Sequence, residues 1–141
     1  MGSEILAGGY LSDNVAVDQA YAYASANTTT LTSAEFDMAG YAHLLAYCWF
    51  GTAATNNTFA LWASATASGE AATVATMNSA TLAPLILDVT NVALRYIKLT
   101  MVRGTSTTLE QVVLVRYGAR SKAVAQAATV KVSQFNAPAL V

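Results

Sequence analysis

The sequence predicts an all-β protein, an antiparallel β-sandwich assembled from many short strands. Three observations carry that expectation. Thr, Val, Tyr and Ala are abundant while only two prolines occur in 141 residues. Clusters of Gly, Asn and Ser interrupt the chain at short intervals, as turns between strands do. Between those clusters the side chains alternate in character with a period of two, the repeat that a pleated strand imposes on its faces.

The elements follow in order. Residues 1–14 lack periodicity and read as an extended arm. YAYASA (21–26) is the first clear strand, closed by the turn ANTTT. EFDMAGYAHLLAYCWF (35–50) is a long apolar run ended by GTAATNN, and TFALWASA (58–65) runs to the turn SGE. Residues 84–89 form a weaker strand before the turn DVTN. LRYIKLTMVR (94–103) and LEQVVLVRY (109–117) flank GTST, and the second ends at GAR. Residues 129–135 are a further weak strand, and NAPALV (136–141) is the second arm. Ala favours helix over strand, so the Ala-rich stretches near 71–83 and 121–128 admit one short helix at most. No repeat and no Pro-rich or Ser-rich linker divides the chain, which predicts a single domain over 1–141. Seven or eight strands in this length suit a sandwich of jelly-roll type.

Alternation assigns faces. Along residues 41–50, Tyr41, His43, Leu45, Tyr47 and Trp49 share one side, and Ala42, Leu44, Ala46, Cys48 and Phe50 share the other. If the second, smaller face fills the interior, the aromatic stripe is left outward, where a lone chain exposes an apolar patch. Ile97, Leu99 and Met101 make an apolar face, and so do Val113, Val115 and Tyr117; both are expected in the core. The composition agrees with a protein that works against partners. Hydrophobic residues reach 55% and charged residues only 11%, against about 25% charged in ordinary soluble domains.

Charge is segregated along the chain. Seven basic and eight acidic residues leave a net charge of −1. All the basic residues lie after residue 93, whereas every acid but Glu110 lies before it. Pairing of late-strand arginines with early carboxylates, within the fold or across subunit seams, is the expected use. Nucleic-acid binding is not expected, because Arg95, Lys98, Arg103, Arg116 and Arg120 fall on both faces and both ends of their strands. Arg103, Arg116 and Arg120 at strand ends, with Tyr41, His43, Tyr47 and Trp49 on the stripe, are the candidate subunit or partner interface.

Chemistry has few residues to work with. One histidine and one cysteine exclude a Cys/His zinc site within one chain. His43 reads as a hydrogen-bonded packing residue, Cys48 as a small apolar one, and the pair Glu35 and Asp37 as a solvated strand end. No G-x-S-x-G, P-loop or dinucleotide fingerprint occurs. Neither a catalytic constellation nor a metal or cofactor is expected. No run approaches the roughly 20 apolar residues of a spanning helix, so no membrane association is expected. MGSEILAGGYLSD lacks the features of a signal peptide, and a lone cysteine suits synthesis in a reducing cytoplasm. The sequons at Asn27 and Asn56 read as turn residues.

Two passages together carry a resemblance. DMAGYAHLLAYCWFG with TFALWASATASGEAATVA, followed by LRYIKLTMVRG with VVLVRYGARSK, resemble small tailed-bacteriophage proteins encoded near the major capsid protein, over residues 32–125. In relatives the turn after the TFALWAS strand commonly carries several carboxylates, whereas here it has only Glu70. The resemblance implies a jelly-roll decoration, or cement, protein. It implies a homotrimer on the outer capsid surface that stabilises the lattice of the major capsid protein, made in the host cytoplasm and located in the virion. The alternatives are another virion component, a head-fibre base or tail protein, and a carbohydrate-binding jelly roll.

Overall fold

The computed structural model describes residues 10–120 and 124–135. After a 3-10 turn at Leu11–Asp13 come β1 (Ala16–Tyr21), β2 (Ala24–Asn27), β3 (Leu31–Thr32), β4 (Phe36–Asp37), β5 (His43–Phe50), β6 (Ala54–Ser64), β7 (Ala72–Ser79), β8 (Leu85–Val89), β9 (Tyr96–Arg103) and β10 (Thr107–Tyr117). They form two antiparallel sheets. In the first the order is β1-β10-β5-β8, with β2 also on β10; in the second it is β3-β9-β6-β7, with β4 also on β9. The outermost strands of the chain pair first and the inner ones nest beside them, which is the jelly-roll arrangement.

The expected strands before residue 118 are present, and two of them are divided. Residues 35–50 split into β4 on the second sheet and β5 on the first. Gly40, at φ 86°, takes the left-handed conformation that this crossing needs. Residues 21–26 split at Ala22 and Tyr23 into β1 and β2, which lie end to end along β10. The Ala-rich stretch 72–79 is a strand, not a helix: pairing with β6 from Met77↔Phe59 to Ala72↔Ala63 overrides the preference of Ala. Of the other Ala-rich stretch, residues 124–128 are irregular and 121–123 lie outside the described residues. Residues 129–135 form no strand. The arms expected at 1–14 and 136–141 lie mostly outside the described residues. Residues 10–14 fold as the 3-10 turn and are not extended, because the tail holds them: the Val124 N–H donates to the Asp13 carbonyl at 2.8 Å, and Gln126 Nε2 donates to the Ser12 and Val15 carbonyls.

One core lies between the sheets. Leu44, Ala46, Cys48, Phe50, Leu109, Val112 and Leu114 descend from the first sheet, and Phe59, Leu61, Ile97, Leu99 and Met101 rise from the second. The parity expected of β5 and β9 holds. That of β10 is reversed: Val112 and Leu114 are fully buried, while Val113, Val115 and Tyr117 face outward and are half-buried. A register shift between Leu109 and Gln111 lets Leu109 and Val112 both face inward. Alternation alone had no means of choosing, since both faces of β10 are apolar.

Candidate docking face

The outer face of the first sheet is built by cross-strand register. One row runs Gln19, Val113, Tyr47, Ile86, and the next runs Val17, Val115, Leu45, Asp88. Side chains directly opposite on one face pack against each other, so the middle of this sheet is a continuous apolar surface. It extends past Trp49, which is 41% exposed, to Leu82 and Ile86, exposed 62% and 52%. Trp49 and Leu82 line a shallow depression of about 210 Å³ together with Gly51 and Glu110. Asp88 sits at the border, where its carboxylate accepts the Tyr117 hydroxyl at 2.8 Å. That hydrogen bond is the main reason the Tyr117 phenol is raised above its ordinary value.

The stripe expected along β5 is therefore present, but its members have different tasks. Tyr47 and Trp49 face out as part of the apolar surface. His43 is tied down: its Nδ1 accepts the Asn91 N–H at 2.9 Å, and its ring lies 5.0 Å from that of Tyr117. Tyr41 precedes the strand and turns against the core, under the Arg116 guanidinium at 5.0 Å.

The three arginines are not brought together. Arg103 lies inside the fold, 3% exposed. Its guanidinium donates to the Thr29, Ser25 and Thr107 carbonyls and to the Thr29 hydroxyl, at 2.7 to 3.1 Å. These bonds clamp the turn between β2 and β3, and an arginine so occupied has no face for a partner. Arg116, half-buried at the other end of the sandwich, pairs with Asp18 at 2.9 Å and donates to the Asp37 carbonyl at 2.7 Å. It thereby bolts β10 and β1 of the first sheet to β4 of the second. Arg120 alone of the three is exposed. It lines a polar cleft of about 180 Å³ with Arg95, Tyr41 and Gly40. Strand-end position did not distinguish these roles, because burial of Arg103 depends on a turn 74 residues away.

Cys48 points into the core, where burial pushes its thiol up to about 12. Among the described residues no three His, Cys, Asp or Glu side chains group as metal ligands would, and no helix is long and apolar enough to cross a membrane.

Comparison with known proteins adds a fold. No protein-family model and no characterised protein matches the sequence. Among solved structures, the PBSX exported protein XepA superposes with a TM-score of 0.59 at 18% identity, over 86% of this chain and 43% of its own. This chain thus spans less than half the length of XepA. The likeness is one of fold. Bacillus endospore appendages, a family of disulfide-linked pili, align with a TM-score of 0.48 at 17% identity, over 74% of this chain and 88% of theirs.

Proposed function

We propose that this chain is a structural virion protein, a decoration protein that binds the outer surface of a phage capsid as a homotrimer and reinforces the major capsid protein lattice. The observation that carries this reading is the apolar outer face of the first sheet, centred on Leu45, Tyr47, Val113 and Val115 and continued by Trp49, Ile86 and Leu82. A solvated sheet normally alternates apolar-in with polar-out. Here both sides of β5 and β10 are apolar, which suits a surface that is covered in its working state. Tyr and Trp supply large rigid contact area with a polar tip.

The mechanism is adhesion. Covering the face contributes roughly 25 cal/mol for each Å² of apolar surface removed from water, less the cost of association. Repeated over a shell, a modest gain per subunit raises the resistance of the lattice to internal pressure. The fold shared with XepA supports the architecture only; the assignment to a capsid rests on the sequence resemblance together with this face.

Co-sedimentation with capsids tests the reading. Wild-type protein is expected to pellet with heads lacking it, and the double variant Tyr47→Glu, Trp49→Glu to remain in the supernatant while keeping the wild-type circular dichroism spectrum. Ile86→Glu, at an exposed position on an edge strand, is expected to weaken pelleting without touching the core. Full capsid binding by the folded Ile86→Glu protein and by the double variant would overturn the assignment of this face.

A further inference from the structure

A second apolar feature lies away from that face, at the open edge of the sandwich. Where β7 and β8 end the two sheets, Ala63, Val74, Val89, Val92 and Leu94 line a cleft of about 260 Å³. The register of β6 against β7 shifts between Leu61 and Trp62, so that Val74 is the unmatched residue of a bulge and stands 46% exposed at the cleft. Among the described residues no charged one lines it. The most exposed large apolar residue described is Phe135, at 83%, and it lies on the tail. Gln134 beside it is held by hydrogen bonds to the Ser12 hydroxyl at 2.7 Å and the Asp13 carboxylate at 3.0 Å.

Cleft and tail lie at opposite edges of the first sheet. Val89 pairs with Leu44, Leu44 with Arg116, and Arg116 with Ala16, so one cross-strand row leads from the cleft to the start of β1. The tail is fastened at that same place, with the Gln126 Oε1 accepting the Val17 N–H at 2.7 Å. Three inter-strand spacings, about 14 Å, separate the edges.

We propose that these features form a head-to-tail joint between copies of this chain: Phe135 of one copy enters the Val74–Val89 cleft of the next. The occupant is a second copy because the chain itself carries both a protruding aromatic at one edge of the first sheet and an apolar socket at the other, so copies set edge to edge bring one toward the other. The knob is held in advance by the Gln126 and Gln134 bonds, which lowers the ordering cost of association. Such a contact uses two different surfaces and is heterologous. It closes into a ring if the rotation between copies permits and otherwise extends as a chain. The joint does not rest on the capsid reading, since it forms between purified copies.

Sedimentation of variants tests it. Phe135→Ser removes the knob and Val74→Glu places a charge in the socket, both at exposed positions. Each alone is expected to sediment as a folded monomer where wild type assembles. An equimolar mixture is expected to form a heterodimer and stop there, because the Val74→Glu copy retains its tail and the Phe135→Ser copy retains its socket. Wild type that stays monomeric up to its solubility limit, either variant assembling as wild type does, or a mixture that remains monomeric would overturn the joint. Failure of the wild-type protein to pellet with capsids, with the mixing result intact, would instead count against the capsid reading alone.

Discussion

At the scale of single residues, the segregation of charge resolves into pairs. Late arginines meet early carboxylates within the chain, Arg95 with Asp37 and Arg116 with Asp18, both at 2.9 Å. The Arg95 guanidinium, with help from the Ala39 N–H, holds the Asp37 carboxyl at about 2, against an ordinary 3.8. A carboxyl lowered by folding stabilises the fold above its unfolded value, and that contribution fades as pH falls through the folded one. The window here runs from 3.8 down to about 2. Both partners are about half exposed, so solvent screening leaves only a small contribution. Asp37→Asn is expected to lower stability slightly near neutral pH and to converge on wild type as pH falls below about 2, measured by urea unfolding. Arg103 is worth more. Its planar fork satisfies three carbonyls at once, a task the point charge of lysine does not reproduce. Arg103→Lys is expected to cost about 2 kcal/mol, read as a lower urea midpoint with an unchanged slope. An unchanged midpoint would show that the clamp contributes nothing.

At the scale of elements, period-two alternation decides a face only where the two sides differ. On β9 they do: Ile97, Leu99 and Met101 are buried, while Lys98 and Thr100 face away. Leu99→Asp is expected to abolish folding, since an unpaired buried carboxylate costs several kcal/mol out of a total of about 5–15. Thr100→Asp on the opposite side of the same strand is expected to fold. Circular dichroism of the two proteins checks the assignment, and a folded Leu99→Asp variant would show it to be wrong. On β10 both sides are apolar, and the bulge near Glu110 rather than the pattern set which side went in. For β7 local propensity misled, because Ala prefers helix in isolation and the free edge of β6 supplied the hydrogen bonds that made it a strand. Elements whose pattern agrees with their propensity were legible; those where packing overrode propensity were not.

At the scale of the whole molecule, the face and the cleft were legible to different degrees. Tyr47 and Trp49 belong to one strand, so their common side followed from the pleat alone. Their junction with Val113, Val115 and Ile86 into one surface depends on β10 and β8 flanking β5, a neighbourhood that for β10 pairs Tyr47 with Val113 and Leu45 with Val115, residues 66 and 70 apart. The cleft is less visible still, since Ala63, Val74 and Val89 come from three strands and meet only where the two sheets part. By itself the sequence determined that this is an all-β sandwich with an apolar, sparsely charged character, that Leu44 and Cys48 share one side of their strand, that Leu99 points inward, and that its cations come late and its acids early. Those properties are local or compositional: the pleat fixes side-chain direction residue by residue, and the supply of charge is counted along the chain. The tertiary structure alone decided strand order, the reversed side of β10, the burial of Arg103, and the placing of Phe135 and the Val74 cleft on opposite edges. Each of these depends on contacts between distant segments, whose free energy is settled by mutual packing and by which backbone groups remain to be paired, quantities that no short stretch of sequence contains.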